Sequence, residues 1–361
     1  MNEFEELRKN WMDFHDFKKK YEKLPVEEYP NTVLESKPEP KVSVHIITYQ
    51  HVKYIREAIE SVLMQQTNFP FEVIIGDDES TDGTREICKE YAEKYSSKIR
   101  LFLHKRENNI AISGNPSHIF QYIYNTFQLR GKYISICSGD DFWTDPNKLQ
   151  VQVDFLEGHH DYSICAHDSN IVNYKSEVVS YRMYKSEMLN KEYKDEYQLE
   201  EIFEGATFHT SSVLFRKNDL NIPAFAYIIQ DITSEDYVLF LMLADKGPVK
   251  ILSEVMSTYR KHKESITGSH NQFIDKGNKQ LMNVNILLKL NSYFDFRYSE
   301  DINYQLNSSY KIIADEYKNK KESIRRLEKT IDDINYGRNS SLEHAKPFLK
   351  SVLRKISLYK K

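Results

Sequence analysis

The stretch Ile134-Ser-Ile-Cys-Ser-Gly-Asp-Asp-Phe-Trp-Thr-Asp-Pro146 decides how the chain is read. An apolar run that begins at Tyr133 stops at Gly139, and two adjacent carboxylates, Asp140 and Asp141, follow at once. Working outward, the same design recurs. Val42-Ser-Val-His-Ile-Ile47, Phe71-Glu-Val-Ile-Ile75 and Ile99-Arg-Leu-Phe-Leu103 are short apolar runs with the look of buried strands. Between them, apolar residues at three- and four-residue steps predict helices over 53–65, 84–95 and 115–128. Strands alternating with helices predict βαβ units, hence an α/β fold with a mainly parallel sheet flanked by helices. Such sheets bind ligands beyond the carboxyl ends of their strands. Asp77-Asp78 and Asp140-Asp141 fall at that edge.

Past this region the pattern is mixed, with short strands over 162–166, 211–215 and 249–251 and a helix over 235–246. From 272 onward the chain reads as helical, charged and rich in Tyr. Before the first strand, Phe4, Leu7, Trp11, Phe14, Phe17, Tyr21 and Leu24 predict a helix over 2–24, packed by its aromatic stripe and closed by Pro25 and Pro30. Three regions result: an N-terminal helix and linker (1–40), an α/β domain (41–270) and a C-terminal helical region (271–361).

Composition narrows the class. The 361 residues are 40% hydrophobic and 29% charged, the balance of a folded soluble protein. A net charge of −4 gives no reason to expect nucleic acid as partner. The three cysteines, Cys88, Cys137 and Cys165, lack metal-binding spacing and suggest reduced thiols in the cytoplasm. The acidic N-terminus lacks the apolar core of a signal peptide, and no run of apolar residues is long enough to span a membrane.

Three acid pairs stand out: Asp77-Asp78, Asp140-Asp141 and Glu235-Asp236. Adjacent carboxylates repel, so a fold keeps them when they are solvated, cap a helix or are neutralised by a cation. Mg²⁺ is commonly held by one or two carboxylates together with substrate phosphates. Each pair also has a plain structural reading. Residues 77–84 are rich in turn and capping types, and Glu235-Asp236 complements a helix dipole. Singly these readings are at least as good; three pairs at comparable sheet positions favour a site.

On these residues the chain resembles the family 2 glycosyltransferases, which have the GT-A fold, a Rossmann-like mixed sheet. The resemblance lies in "VSVHIITYQHVKYIREAIESVLMQQ" (42–66), "EVIIGDDESTDGT" (72–84), "ENNIAISGN" (107–115) and "GKYISICSGDDFWTDPNKLQ" (131–150). It continues in "TSSVLFRK" (210–217), "SEDYVLFLMLADKG" (234–247) and "YRKHKESITG" (259–268). It implies an inverting transfer of a sugar from a nucleotide donor, a UDP-sugar in first place, to a glycan or lipid-linked glycan acceptor in bacterial surface-polymer synthesis. It further implies that Ile47, Thr48 and Tyr49 line the nucleobase pocket and that Asp78 hydrogen-bonds the base. Asn115 belongs to the donor loop, and Asp140 lies by the ribose or sugar. Asp141 would bind Mn²⁺ or Mg²⁺, with His262 near the metal or diphosphate. Asp236 would be the general base, with Glu235 the second choice. Two departures are visible: Ile47-Thr48-Tyr49-Gln50 replaces the usual Pro-Thr-Tyr-Asn, and Gly114 stands where many members carry Arg, a contact that Lys105 or Arg106 would have to supply. Other readings are a catalytically silent nucleotide-sugar binder or scaffold, and a sugar nucleotidyltransferase. The latter is disfavoured because no Gly-rich, Lys-bearing loop follows the first strand.

The last stretch, 344–361, carries Lys346, Lys350, Arg354, Lys355, Lys360 and Lys361 and no acid, with apolar residues at helical spacing. Such a helix suits an anionic membrane surface, where each basic residue adds roughly 1 kcal/mol, or equally a docking face. It makes a peripheral position on the inner face of the cell membrane an expectation. Heptad-like apolar steps over 281–335 fit packing on the domain or a homo-oligomer contact.

Overall fold

The protein is described from a computed structural model covering residues 19, 22–24, 26–35, 37–112, 115–182, 194–205, 208–230, 235–262 and 276–335. Most of the expected N-terminal helix and all of 344–361 lie outside these residues. In chain order the elements are β1 (Glu27–Glu28), β2 (Val42–Thr48), α1 (Ile55–Leu63), β3 (Phe71–Asp77), α2 (Thr84–Lys94), β4 (Ile99–Leu103), β5 (Ile110–Ile112), β6 (Asn115–Ser117) and α3 (Ile119–Gln128). Then come β7 (Tyr133–Ser138), β8 (Phe142–Trp143), α4 (Lys148–Gly158), β9 (Ile164–Asn173), β10 (Val178–Ser180), β11 (Glu196–Tyr197) and α5 (Leu199–Phe203). The last are β12 (Leu214–Arg216), α6 (Ile222–Ile229), α7 (Glu235–Ala244), β13 (Val249–Lys261), α8 (Lys276–Tyr293) and α9 (Ser299–Asn335).

Eleven strands form one sheet, with the path β1-β4-β3-β2-β7-β12-β9-β13-β11 and with β10 on β9 and β8 on β13. β2, β3, β4 and β7 run parallel, while β12 is antiparallel to both β7 and β9. This is the mixed, mainly parallel α/β sheet that the alternation predicts. β2 and β3 are buried on both faces, which explains their continuous apolar runs. One face is covered by α1, α2 and α4 through Ile55, Ile59, Val62, Cys88, Leu149 and Val153. On the other lie α3, α6 and α7. α8 and α9 share that second core through Ile286, Leu290, Phe294 and Ile302, so the C-terminal helices continue the domain's packing. β1, inside the expected linker, closes one sheet edge by pairing with β4.

Register sets the site. Thr48 pairs with Asp77 across β2–β3 and Ile47 with Ser138 across β2–β7, so three strands end level. Their following turns interlock. Gln50, in the left-handed region at φ 55°, accepts from the backbone N–H of Thr81 and Asp82, and Asp82 accepts from Val52 N–H. α7 is buried from Val238 to Ala244, and its acidic first turn is partly exposed. Two readings differ from the sequence expectation. The helix expected to begin at 115 begins at Ile119, because 115–117 form β6, paired antiparallel with β5. The strand expected to stop at 251 continues to Lys261, paired along β9.

Candidate active site

Asp77 and Asp78 divide into one structural and one available acid. Asp77 is fully buried and pairs with Arg85, which also donates to the carbonyl of His104. Asp78 Oδ2 accepts from Arg106 Nη1 at 2.7 Å and Asn109 Nδ2 at 2.8 Å, while its buried Oδ1 has no hydrogen-bond partner among the described residues. Burial pushes the Asp78 carboxyl up to about 6, against the pull of Asn109 and Arg106. Beside it the Tyr49 ring is 37% exposed, with the Arg106 guanidinium 4.0 Å from its centroid. A flat ring beside an unsatisfied carboxylate oxygen suits a planar heterocycle that offers an N–H.

The two acids of the Asp140-Asp141 turn are engaged differently. Asp141, expected to hold the metal, has both oxygens taken by the protein. Oδ2 accepts from His209 Nε2 and Ser211 Oγ, each at 2.9 Å, and Oδ1 accepts from the Arg260 backbone N–H at 2.9 Å. Asp140, expected by the ribose or sugar, faces two imidazoles. Its Oδ2 lies 2.9 Å from His262 Nε2 and 4.0 Å from His51 Nε2. Burial pushes the Asp140 carboxyl up, but His51 and His262 outweigh it and hold the group below the usual carboxylate range. His51, Asp140 and His262 place three ligand-type atoms within 4.8 Å of one another. One carboxylate and two imidazoles suit a divalent ion.

Thr48 joins the two ends. Its carbonyl accepts from Asp78 N–H at 3.1 Å, and its hydroxyl lies 3.2 Å from His51 Nδ1. Ile47 takes part through its carbonyl, which accepts from Gly139 N–H at 2.9 Å. On the far side, Glu235 Oε1 lies 2.7 Å from Nε2 of His118, the residue that opens α3. Burial opposes charge on His118, yet Glu235, Asp78 and Asp236 together raise its pKa. Burial, with Glu235 alongside, pushes Asp236 up to about 6. His118 thus lies within electrostatic reach of Asp78 and of the α7 acids. Asn115 lies in β6, and its side chain is outside the described set.

Four contributors escaped sequence reasoning: His51, His118, His209 and Arg260. His51 alone left a signal, an imidazole two residues after Tyr49 in the first turn. Arg260 is 1% exposed; its Nε donates to the Asp140 carbonyl at 2.8 Å and its Nη2 to Glu57 at 2.6 Å. The other two act across long sequence distances.

A parallel sheet with an acid-lined, ring-faced edge is the architecture of a GT-A glycosyltransferase. The crystal structure of S. aureus TarS in complex with UDP-GlcNAc matches with a TM-score of 0.50 and 21% identity, covering 74% of this chain and 79% of that one. Residues 43–222 match the family model described as Glycosyl transferase family 2, and through this domain the chain belongs to that family. An uncharacterized protein of Mycobacterium tuberculosis is 32% identical over 235 residues, 65% of this chain and 62% of the relative. The poly(ribitol-phosphate) beta-N-acetylglucosaminyltransferase TarS of Staphylococcus aureus is 32% identical over 123 residues, 33% of this chain and 19% of TarS. The chain therefore spans less than two thirds of either relative's length.

Proposed function

We propose that the chain moves a sugar from a nucleoside-diphosphate donor, a UDP-sugar, to an acceptor hydroxyl with inversion at the anomeric carbon. The observation that carries this is the sharing of Thr48: one residue ties the Asp78–Tyr49 face to the His51–Asp140–His262 trio. That spacing suits a base at one end and a diphosphate at the other. In this reading Asp78 Oδ1 accepts the ring N–H of uracil, and Tyr49 covers its face. Asp140 and His262 hold Mn²⁺ or Mg²⁺, which when bound offsets charge growing on the leaving diphosphate. Asp236, the general base, takes the acceptor hydroxyl proton as its oxygen attacks the anomeric carbon. The bond to the diphosphate breaks on the opposite face. Glu235, engaged by His118, fixes the α7 terminus instead of serving as base.

TarS, crystallised with UDP-GlcNAc, supports the choice of a uridine donor and of a bacterial surface polymer or glycoconjugate as acceptor. No helix among the described residues is long and apolar enough to cross a membrane. A cytoplasmic enzyme brought to a lipid-linked acceptor by 344–361 is the matching arrangement; liposome flotation that is the same without 344–361 would remove the tail's part in it. The test of the activity is a panel of nucleotide sugars with Mn²⁺, read as donor hydrolysis. Turnover of a UDP-sugar that Asp236→Asn abolishes, with donor binding kept, is the expected result. Hydrolysis of no member of the panel would overturn it.

A further inference from the structure

We infer that His51 is a third protein ligand of the divalent ion, so that two imidazoles and one carboxylate hold it before any nucleotide arrives. This deepens the donor reading above and rests on it for the ion's purpose, not for its binding.

Three observations point to it. First, His51 Nε2 and His262 Nε2 both face Oδ2 of Asp140, at 4.0 Å and 2.9 Å. Two atoms each about 2.1 Å from one ion can be no more than about 4.2 Å apart, and both distances to Oδ2 meet that limit. Second, His51 is oriented from behind. Its Nδ1 is 3.2 Å from Thr48 Oγ1, a contact that leaves Nε2 turned to the acid, as outer-shell partners of metal-binding histidines do. Third, the backbone is cut to fit the ring. A Cβ on Gly139 would lie 2.8 Å from His51 Nδ1 and 2.8 Å from the Thr48 side chain, so glycine at the end of β7 is what lets the imidazole pack there.

The donor set also sets the ion. Mg²⁺ is a hard ion that prefers oxygen and dehydrates reluctantly, whereas imidazole suits first-row transition ions. Two imidazoles therefore favour Mn²⁺, Co²⁺ or Zn²⁺ over Mg²⁺. A site in which the nucleotide supplied most ligands would bind little metal alone; this one binds without it.

The test uses the full chain, freed of metal, titrated with Mn²⁺ in the absence of nucleotide and followed by the EPR signal of free Mn²⁺. One ion per chain is expected, and about a hundredfold excess of Mg²⁺ should displace only a minor part of it. His51→Gln is expected to weaken Mn²⁺ by about 10–100-fold. Pulsed EPR on the unaltered chain should show nitrogen coupling from two imidazoles, a readout that survives even if the variant misfolds. Coupling to one imidazole, unchanged affinity in a folded His51→Gln chain, or displacement by equimolar Mg²⁺ would overturn the inference. A chain that binds Mn²⁺ through two imidazoles but hydrolyses no sugar nucleotide sinks the donor reading and leaves this one standing.

Discussion

Arg260 grips both members of the acid pair it faces across the sheet end: its backbone N–H donates to Asp141 Oδ1 at 2.9 Å and its side-chain Nε to the Asp140 carbonyl at 2.8 Å. The guanidinium is sandwiched near Tyr54 and Phe142 and also donates to Ser176 and Glu57. The turn's shape is thus set by β13. Arg260→Met removes several buried charge-assisted bonds and is expected to cost about 2–3 kcal/mol, the half-exposed Glu57 recovering part of the loss in water. Urea unfolding measures this. A loss below about 0.5 kcal/mol, the range of ordinary surface changes, would show that the turn holds itself.

Asp140 and Asp141 should part company on substitution. Asp141→Asn leaves His209 or Ser211 poorly matched in a buried place, and a loss of about 1–3 kcal/mol is expected in thermal or urea unfolding. Asp140→Asn is expected to cost less stability than Asp141→Asn, losing only the pull of His51 and His262 on its ionised form, while Mn²⁺ affinity collapses. Were the two variants to exchange these outcomes, the ion would belong to Asp141 after all.

At saturating donor, kcat should fall about tenfold per pH unit below an apparent pKa near 6, because Asp236, pushed up to about 6 by burial and by Glu235, must be ionised to accept a proton. The same shift has a stability consequence of definite sign. Between the ordinary carboxylate range and about pH 6 the folded chain keeps a proton that the unfolded chain has lost, so this group makes stability fall as pH rises through that window. Asp236→Asn is therefore expected to raise the melting temperature at pH 7 while abolishing transfer. A flat kcat profile from pH 5 to 8 would argue against Asp236 as the base.

Lys148 is fully buried under the site, donating to Ser135 Oγ at 2.9 Å and Gln152 Oε1 at 2.8 Å, with Trp143 4.1 Å away. Burial pushes its pKa down to about 7. Above pH 7 the folded chain holds fewer protons here than the unfolded chain until lysine's usual range is reached, so stability should rise with pH from about 7 to 10. Lys148→Met should flatten that rise, as read by melting temperature against pH. An unchanged slope would place the lysine's charge in contact with water.

Much of the site was legible because it follows strand ends. An apolar run that stops at Asp77-Asp78, or at Gly139-Asp140-Asp141, identifies a sheet edge from sequence alone. The apolar helix following Glu235-Asp236 likewise fixes which end of it stays polar. What spacing could not decide is which acid of a pair faces outward. Asp141 N–H donates to the Ser138 carbonyl, and the turn so formed directs Asp141 toward His209 and Ser211 while Asp140 meets His51 and His262. Neighbouring carboxylates are chemically alike, and only backbone direction tells them apart.

Local pattern also could not reveal β13. The strand expected over 249–251 runs on because residues 252–261 owe their burial to pairing along β9, a contact across about ninety residues that no short window contains. That pairing delivers Arg260 to the acid turn and His262 to Asp140. The order of residues by itself determined the alternating architecture, the three acid pairs and the side of the sheet on which they gather, since periodicity and strand length are local properties. Tertiary structure alone decided that His51, Asp140 and His262 form one cluster, because their proximity depends on where β2, β7 and the long β13 end.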